Sequence, residues 1–386
     1  MGSAASQHRP DTAAAVVAMV GAGQLAQMTQ QAAIALGVQL RVLAQLPDEP
    51  AVLAGADHRL GSPDDLQALL ALADGADVVT FDHEQIDPGL LVELERAGVN
   101  LQPAPAAKLL AQDKLHARRE LERMGFPVPP FTHAHSVEQV QAFAQQHGWP
   151  LVAKTPRGGY DGRGVFELAD PEQAAAELAT HPDGLLLEPL LEIRRELAAM
   201  VARSTTGEQV AYPVVESVQR DAMCREILAP APIDAELAQQ AAQMALQIAQ
   251  RAGITGVVAL ELFDTPAGLL VNELALRPHN SGHYTIEGCV TSQFEQHLRG
   301  VLGWPLGATE LTAPAVVMVN VVGAADGSDP LRRIPQALAV AGAHVHLYAK
   351  TARPGRKLGH VTVCGADLQG ARATALRAAR ELGSEP

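Results

Sequence analysis

The chain has 386 residues and a formal charge of −14, and 47% of its residues are hydrophobic while 19% are charged. This length and composition predict a globular protein of two or three domains and exclude a disordered chain. The negative charge argues against binding to nucleic acids or anionic membranes, and an aromatic content of 3% leaves few side chains on which bases could stack.

Two features of the sequence predict a cytoplasmic protein. The three cysteines, Cys224, Cys289 and Cys364, are odd in number and widely separated, so they predict neither a disulfide framework nor a zinc site. The apolar run at 13–20 continues into glycines rather than into a cleavage site, so we expect a disordered tail over residues 1–13 and no signal peptide. No apolar run reaches the ~18 residues that a membrane span needs.

The first domain is expected to span residues 14–105 and to be Rossmann-like. Apolar residues at 15–20 predict a buried strand, the pattern at 24–36 predicts a helix, and residues 39–44 predict a second strand. A strand, a helix and a strand in this order form a βαβ unit. This part of the chain is therefore predicted to belong to the α/β class.

The turn between the first strand and its helix has the glycines of a phosphate-binding turn. Its sequence at 21–26, Gly-Ala-Gly-Gln-Leu-Ala, fits the Gly-x-Gly-x-x-Ala fingerprint of dinucleotide sites. Such a site also needs an acid about 20 residues further on to bind the ribose hydroxyls, but Ala44 and Gln45 stand there. Since a helix N-terminus can bind a single phosphate, we favour a monophosphate over a dinucleotide.

Polar residues follow the next strand, which is predicted over 77–81. Asp82, His83 and Glu84 stand at its carboxyl end, where ligands bind in parallel sheets. The alternative is that Asp82 caps the next helix while His83 and Glu84 are solvated.

The segments that follow predict helices. One helix is expected over 106–124, where Gly125 and three nearby prolines end it. Another is expected over 136–147 with Ser136 as its N-cap, and a long amphipathic helix at 233–252 is predicted to be structural.

A glycine-rich segment follows the apolar residues 151–153. It reads Lys-Thr-Pro-Arg-Gly-Gly-Tyr-Asp-Gly-Arg-Gly over 154–164, so four glycines accompany three basic residues. Glycines let the backbone turn its N–H groups toward one point and the cations attract anions, so we predict a lid over a polyphosphate. The lysine precedes the glycines, unlike in the Walker pattern. The alternative is a hairpin turn with solvated arginines.

A strand predicted over 185–187 ends on Glu188, and a short apolar hinge separates it from a further acid, Glu196. Such a strand end could present backbone groups and one carboxylate to the edge of an adenine. The alternative is that both residues are ordinary surface acids.

Two apolar strands over 257–263 and 269–275 are joined by a short turn and predict a β-hairpin. In the register that we expect, Phe263 faces Leu269. Asn272 then points away from the acidic face of the hairpin, and it could act as a ligand there only if the strand carried a bulge.

The same register places Glu261 and Glu273 on one face of the hairpin as diagonal neighbours, with β-carbons within ~8 Å. Two carboxylates on an otherwise apolar hairpin are costly unless something positive lies between them. Carboxylate oxygens suit magnesium, so we favour a magnesium site. The alternative is that both acids pair with arginines such as Arg277.

Two later segments are unusually polar. Residues 277–283, Arg-Pro-His-Asn-Ser-Gly-His, are dense in donors and cations and too polar for a core segment. A basic loop at 351–360 carries Arg353, Arg356 and Lys357, with His360 as a fourth cation if protonated. In a chain of charge −14, this loop suggests an anion, and the alternative is a solvated turn.

Taken together, the motifs resemble those of the ATP-grasp carboxylases of purine biosynthesis, from about Val16 to about Cys364. The segments that carry the resemblance are 21–28, 158–164, 272–275, 279–285 and 353–360. The resemblance implies an ATP-grasp fold of mixed α/β and α+β class. It implies a Rossmann-like preATP-grasp domain at 14–105, an ATP-grasp domain at 106–310 with a lid at about 127–190, and a small β-rich domain at 311–386.

The resemblance also implies ligands and their residues. The implied ATP-binding residues are Lys108, Lys154, Gly159, Tyr160, Asp161, Gly162, Arg163, Gly164, Val165, Glu188, Pro189, Leu190, Leu191, Glu196, Gln219, Asn272 and Glu273. The implied residues for aminoimidazole ribonucleotide are Gly23, Gln24, Leu25, Glu84, Tyr160, Arg163, Arg353, Arg356 and Lys357. The implied magnesium ligands are Glu261 and Glu273, and the implied catalytic positions are Asp161, Arg277, His279, Asn280 and His283. A homodimer is expected as well.

Some positions depart from the family pattern. Gln219 stands where a histidine near the phosphates is usual, and Leu109 stands where many members have an arginine, which Lys108 could replace. Leu276 and Pro278 exchange the usual proline placement around Arg277. None of these changes removes a carboxylate or the lid.

The implied reaction uses ATP to convert bicarbonate into carboxyphosphate, which delivers carbon dioxide to the exocyclic amine of the ribonucleotide. We expect Asp161, together with His283, to accept the proton that the amine loses. The rival hypotheses are a formate-dependent glycinamide ribonucleotide transformylase of the same fold, an NAD-dependent oxidoreductase and a non-enzymatic nucleotide-binding regulator. Gln24 and the His-Asn-Ser-Gly-His run favour the imidazole substrate.

Overall fold

The structure is a computed structural model that describes residues 14–159 and 163–384. The strands within these ranges are β1 (Val16–Val20), β2 (Gln39–Ala44), β3 (Asp57–Leu60), β4 (Val78–Phe81), β5 (Thr132–Ala134), β6 (Leu151–Lys154), β7 (Val165–Leu168), β8 (Leu185–Pro189), β9 (Arg195–Arg203), β10 (Gln209–Ala211), β11 (Val215–Arg220), β12 (Met223–Ala229), β13 (Gly256–Thr265), β14 (Gly268–Ala275), β15 (Ala315–Val322), β16 (Ala343–Leu347) and β17 (Lys357–Gly365).

The α-helices of the same ranges are α1 (Gln24–Leu36), α2 (Pro50–Leu53), α3 (Leu66–Ala73), α4 (Pro88–Arg96), α5 (Pro105–Gln112), α6 (Lys114–Arg123), α7 (Val137–His147), α8 (Pro171–Thr180), α9 (Ala235–Arg251), α10 (Thr285–Gly288), α11 (Gln293–Leu302), α12 (Ile334–Leu338) and α13 (Leu368–Glu381). Among the residues described, none of these helices is both long and apolar enough to cross a membrane.

The first sheet is parallel, with the strand order β3-β2-β1-β4. All five residues of β1 are buried, because helices cover both faces of a parallel sheet. Helix α1 ends at Gly37, whose φ of 66° is left-handed and suits a glycine C-cap. The βαβ unit predicted from the hydrophobic pattern is confirmed.

A second sheet is antiparallel, with the strand order β5-β8-β6-β7. Helices α7 and α8 pack on it through an apolar cluster that includes Val140, Phe143 and Ala174. Ser136 caps α7 and accepts a hydrogen bond from the backbone of Gln139, which confirms the predicted helix start. The connection between β6 and β7 is the glycine-rich segment.

The third sheet is the largest, and its strands follow the order β14-β13-β9-β11-β12-β15-β17-β16, with β10 paired to β9. Strand β9 is buried on both faces: Leu197 and Ala199 pack toward α9, while Ala198 and Met200 pack on the other side. Because β12 pairs with β15, the C-terminal strands continue this sheet.

The structure corrects the helix predicted over 106–124. Two helices, α5 and α6, replace it, because Asp113 adopts an extended conformation and caps α6 with its side chain. The Asp113 carboxylate accepts from the backbone of His116 at 2.9 Å and from Arg157 at 2.8 Å. An acid that caps a helix can end one helix and begin the next although the apolar pattern continues through its position.

The register predicted for the hairpin is also wrong. Phe263 pairs with Leu270 rather than with Leu269. The register then shifts, so that Glu261 lies directly opposite Glu273 and Asn272 is the extra residue of a β-bulge. The turn lies between the paired residues Thr265 and Gly268 at the start of β14, and the bulge adds a second one-residue shift to the one seen at Phe263.

Candidate functional site

The carboxylate of Asp82, the residue after β4, lies in the glycine turn before α1. Asp82 accepts a hydrogen bond from the Gly23 backbone at 2.9 Å, and a Cβ at Gly21 would lie 1.7 Å from the Asp82 side chain. Gly21 has a φ of 106°, which only glycine adopts readily. One N–H of the predicted phosphate-binding turn is therefore already used, and Asp82 holds the turn instead of capping the next helix, whose cap is Asp87.

Glu84 joins the first sheet to the polar segment after β14. Its carboxylate lies 2.6 Å from the Lys108 ammonium and 3.4 Å from the Arg277 guanidinium, and it accepts from the Leu276 backbone at 3.3 Å. Burial alone would raise the pKa of Glu84, but these cations outweigh it and hold the pKa below its usual range. Glu84 is therefore ionised, and it positions Arg277.

Lys108 lies in this same contact rather than beside Lys154. It also donates to the His83 carbonyl at 3.0 Å and is fully buried. Its predicted role in binding ATP stays a prediction, as does the role of Glu84 in binding the ribonucleotide.

The glycine-rich segment closes a hairpin between β6 and β7, where Lys154 pairs with Val165. Thr155 donates from its backbone to Gly164 at 2.8 Å, and a Cβ at Gly159 would lie 2.6 Å from the Arg163 carbonyl. This close approach explains why a glycine stands at position 159. The predicted site residues Tyr160, Asp161 and Gly162 lie outside the described residues.

Glu188, at the end of β8, accepts two charged hydrogen bonds. Arg118 lies 2.6 Å from one carboxylate oxygen and Lys154 lies 2.7 Å from the other. Burial of the carboxylate would raise its pKa, but the two cations lower it below the usual range, so Glu188 is ionised. Burial lowers the pKa of Lys154 despite the nearby carboxylate.

The bulged residue Asn272 lies against the same cations. Its side-chain oxygen accepts from Lys154 at 3.2 Å and its carbonyl accepts from Arg118 at 2.5 Å. The bulge turns this side chain toward Lys154, which the predicted register did not allow. Asn272 therefore lies beside the lid lysine, as its implied role requires.

The facing carboxylates Glu261 and Glu273 form an acidic pair next to this cluster. The Lys114 ammonium lies 2.7 Å from Glu273, while His279 lies 3.4 Å from Glu261. Partial burial would raise the pKa of Glu273, but the charge and hydrogen bond of Lys114 lower it below its usual range. Glu261 differs: burial and then the charges of Glu273 and Glu196 raise its pKa to about 8.

This acidic pair fits a divalent cation. Glu261 lacks enough positive charge around it to ionise at its ordinary pKa, and both donors are the hard oxygens that magnesium prefers. No group of three or more His, Cys, Asp or Glu side chains in the described ranges is arranged to hold a metal ion. A cation held by the pair would thus take further ligands from water or phosphate, as magnesium commonly does.

Glu196 and Gln219 lie beside the acidic pair. Burial, followed by the charge of Glu273, raises the pKa of Glu196, while a hydrogen bond from Gln219 lowers it. Gln219 also donates to Ser217 at 2.8 Å. Between β8 and β9, Leu190 is half-exposed and Leu191 is partly buried at the open side of the site.

One histidine of the segment after β14, His279, faces the acidic pair. The His279 Nδ1 accepts from the Ser281 backbone at 3.3 Å, so its Nε2 faces Glu261. The Asn280 amide makes two reciprocal hydrogen bonds with the Asn320 amide of β15, at 2.9 and 2.8 Å. His283 is fully buried.

The N-terminal glycine turn and the C-terminal basic loop lie next to each other. Gln24 bonds with Lys350, and Leu25 and Met28 pack against Tyr348. The predicted residues Arg353 and Arg356 are exposed near this contact, and Arg356 donates to Thr351 at 3.1 Å.

Sequence reasoning missed Lys114, Arg118 and Lys350. Arg118 is 2% exposed, and its spacing from Lys114 on α6 places both on one helix face. Two cations one turn apart on α6 were the signal that could have identified Lys114 and Arg118.

Comparisons with known proteins agree with this architecture. A model of the ribonucleotide synthetase preATP-grasp domain matches residues 14–112, and a model of the ATP-grasp domain matches residues 119–294. A model of the phosphoribosylaminoimidazole carboxylase C-terminal domain matches residues 316–374. These matches confirm the predicted ATP-grasp fold.

Full-length relatives share this arrangement. The N5-carboxyaminoimidazole ribonucleotide synthase of Mycobacterium tuberculosis is 48% identical over 365 residues, which cover 92% of this chain and 85% of the relative. The synthase of Corynebacterium ammoniagenes is 44% identical over 375 residues, which cover 94% of this chain and 91% of the relative.

Solved structures are similar along nearly the whole chain. The N5-carboxyaminoimidazole ribonucleotide synthetase of Thermus thermophilus superposes with a TM-score of 0.87 at 35% identity and covers 96% of this chain and 99% of its own. The Aspergillus clavatus enzyme, solved with ADP and 5-aminoimidazole ribonucleotide, has a TM-score of 0.87 at 30% identity with the same coverage. The chain therefore belongs to the N5-carboxyaminoimidazole ribonucleotide synthase family.

Proposed function

We propose that the protein carboxylates 5-aminoimidazole ribonucleotide with bicarbonate, using ATP and forming N5-carboxyaminoimidazole ribonucleotide, ADP and phosphate in purine biosynthesis. The observation that carries this proposal is the acidic pair, Glu261 and Glu273, beside Lys154 and Asn272 in a chain 48% identical to a synthase of that name. Cations and carboxylates in one place suit a magnesium nucleotide.

In this proposal the triphosphate lies between the lid and the acidic pair. Lys154 and the glycine-rich segment contact its phosphate oxygens, and the partly exposed residues after β8 contact the adenine. Glu261 and Glu273 would hold magnesium, which neutralises negative charge on the phosphates when bound. Glu196 would bind the ribose.

The ribonucleotide would bind where the first sheet meets the C-terminal loop. Gln24 and Glu84 lie on its first-sheet side, and Arg353, Arg356 and Lys357 give the loop its positive charge. A phosphate monoester would be attracted to this charge in a chain that is otherwise acidic.

The reaction requires that water be excluded. The γ-phosphoryl group passes from ATP to a bicarbonate oxygen, and the carboxyphosphate then splits into phosphate and carbon dioxide. The exocyclic amine attacks the carbon dioxide and loses a proton. Because carboxyphosphate hydrolyses in water, a hinged lid that closes over it serves the reaction. Arg277 and His279 would bind the anionic oxygens.

We assign Asp161 as the proton acceptor. Asp161→Asn is expected to leave ATP binding intact while slowing carboxylation, because only the proton transfer loses its base. Unchanged turnover would refute the assignment.

We also propose a cytoplasmic homodimer. Its three cysteines are free thiols, and burial raises the pKa of Cys224 to about 11 and that of Cys289 to about 12, which fits thiols that stay reduced. Light scattering tests the dimer by its mass.

One assay tests the function: phosphate release from ATP with and without 5-aminoimidazole ribonucleotide and bicarbonate. Strong stimulation by the ribonucleotide is expected. Formate with glycinamide ribonucleotide serves as the control pair, and stimulation by that pair alone would overturn the proposal.

A further inference from the structure

A buried glutamine clamps the backbone of the polar segment 279–283. Gln293 is the first residue of α11 and is fully buried. Its side-chain oxygen accepts from the His279 N–H at 2.8 Å, and its nitrogen donates to the His279 carbonyl at 2.8 Å. A backbone N–H can only donate and a carbonyl can only accept, so the orientation of the Gln293 amide is determined.

The second N–H of this amide decides the protonation of His283. The Gln293 nitrogen lies 3.0 Å from Nδ1 of His283. Since an amide nitrogen cannot accept, Nδ1 must be the acceptor, and a neutral His283 carries its proton on Nε2. Burial, followed by the charge of His279, lowers the pKa of His283 well below its usual range, so the ring is neutral.

Close packing holds the segment against the clamp. A Cβ at Gly282 would lie 2.5 Å from the Gln293 side-chain oxygen and 2.3 Å from Met200. Thr285 donates to the Gly282 carbonyl at 2.6 Å and accepts from the Gln293 backbone at 2.9 Å. The segment therefore cannot move away from α11 without breaking several buried hydrogen bonds.

The His283 ring packs between helix α11 and the C-terminal strand β17. Its centroid lies 5.1 Å from that of His360 and 5.8 Å from that of Phe294. Nε2 of His283 is a buried atom with no hydrogen-bond partner among the described residues. The titratable and charged groups that face this ring are Arg277, His279, His346, Tyr348, Lys357 and His360.

We propose that Gln293 is a positioning residue for carboxylation, which orients His279 and keeps His283 in the neutral form that carries its proton on Nε2. His283 in this form cannot accept the proton of the amine at Nε2, so the proton acceptor is another group. This inference rests on the proposed function and deepens it.

The tautomer of His283 can be measured directly. Two-bond 1H–15N NMR spectra of the full-length protein, compared with those of His283→Asn, identify its ring nitrogens. We expect a pyridine-like Nδ1 and a pyrrole-like Nε2 that persist between pH 6 and pH 8. A protonated Nδ1 in this range would overturn the proposal.

The chain provides a matched control on the same helix. Gln296 is equally buried and clamps Gly307 in the same way, donating to its carbonyl at 2.7 Å and accepting from its N–H at 2.8 Å. Gly307 is remote in sequence from the polar segment. Leucine at either position removes one clamp of equal size.

Gln293→Leu is expected to lower kcat about 10²-fold, because a small displacement of His279 misplaces the reacting groups. The KM for ATP should stay within about twofold of the wild type. Gln296→Leu should lower the melting temperature to a similar degree while kcat stays unchanged. Equal kcat values for the two variants would refute a positioning role.

Gln293→Glu adds a test that keeps the size of the side chain and its contact with the His279 N–H, although it loses the hydrogen bond to the His279 carbonyl. Its carboxylate would attract a proton to Nδ1 and raise the pKa of His283. Below that pKa the imidazolium keeps its proton on Nε2, and above it the remaining proton stays on Nδ1 and the Nε2 proton is lost. We therefore expect kcat of this variant to fall as pH rises. The wild type and Gln296→Glu should not show this decrease in kcat.

Failure of the proposed function gives a different result. Without stimulation of the wild type by the ribonucleotide the reaction assignment fails, while the NMR result for His283 still stands. An active wild type whose Gln293→Glu profile is parallel to its own would refute only the role of Gln293.

Discussion

The two acidic clusters of the site differ in how completely the protein neutralises them. Glu188 of β8 is buried but contacts both Arg118 and Lys154, and its pKa lies below the usual range. Glu261 of β13 faces another carboxylate, and its pKa rises to about 8. The Glu188 cluster is complete in the protein alone, whereas the acidic pair has too little positive charge to neutralise both carboxylates.

This difference indicates where a ligand belongs. A buried ion pair with its hydrogen bonds satisfied contributes to the position of β6 and β8, but it has no need of a further charge. Facing carboxylates of which one, Glu261, has a raised pKa destabilise the folded chain until a cation binds, and such sites are typical of function. Removing a carboxylate from the acidic pair should therefore mainly lower activity, whereas removing the Glu188 carboxylate should mainly lower stability.

Glu273→Ala should have the largest effect on activity. Removing one of the two carboxylates that would hold magnesium is expected to lower ribonucleotide-stimulated phosphate release about 10³-fold or more. Stability should change little, because the loss of the Lys114 contact is offset by relief of the repulsion from Glu261. Steady-state phosphate release and a denaturant titration measure the two effects.

Glu273→Gln is the matched control, since it keeps the side-chain volume and one oxygen that can bind a metal ion. We expect its activity to lie between that of the alanine variant and that of the wild type. Wild-type turnover in both variants would contradict a metal role for the pair.

Glu188→Ala should break the complete cluster and have the largest effect on stability. It leaves Arg118 and Lys154 buried without a carboxylate, so the free energy of unfolding is expected to fall by about 3–5 kcal/mol. Urea denaturation measures the change. Glu120, a partly exposed carboxylate that pairs with the exposed Arg123, provides the control, because Glu120→Ala should leave the denaturation midpoint unchanged. Equal midpoints for both variants would show that the Glu188 cluster is not structural.

The most gradual effect is a dependence of stability on pH, which develops over several pH units. The pKa of Glu261 is about 8 in the folded chain against an ordinary value of 4.5, so the folded state binds the extra proton between these values. Its stability therefore falls as pH rises through this window, by at most about 1.4 kcal/mol per pH unit, and the loss is complete above pH 8.

Denaturation of the wild type and of Glu261→Gln at pH 5, 6, 7 and 8 measures this dependence. The difference between the two proteins should shift in favour of the glutamine variant as pH rises, and magnesium nucleotide should abolish the shift. Parallel pH curves would mean that Glu261 titrates normally.

Much of the fold could be predicted from local patterns. Strand β1, helix α1 and its Gly37 cap follow from an apolar run, a helical period and a glycine, each of which acts within a few residues. The break at Asp113 could not, because an apolar pattern continues through it and only the capping bond decides against one helix.

The site was predictable in its residue types but not in its contacts. The carboxylates, the glycine-rich segment and the basic loop are visible in the sequence as polar residues in apolar surroundings. The amide contacts of Asn280 and the clamp of Gln293 are not visible in the sequence, because a buried amide side chain follows no sequence pattern of its own.

The sequence by itself determined which segments form strands, helices and glycine turns, and which residues could carry charge into a site, because backbone preference and side-chain period are short-range properties. The tertiary structure alone decided the bulge at Asn272 and the partners of the acids. Lys114 meets Glu273 across 159 positions and Arg118 meets Glu188 across 70, and such pairs depend on how whole sheets and helices pack. Packing thus decided which carboxylate is neutralised and which one needs a cation.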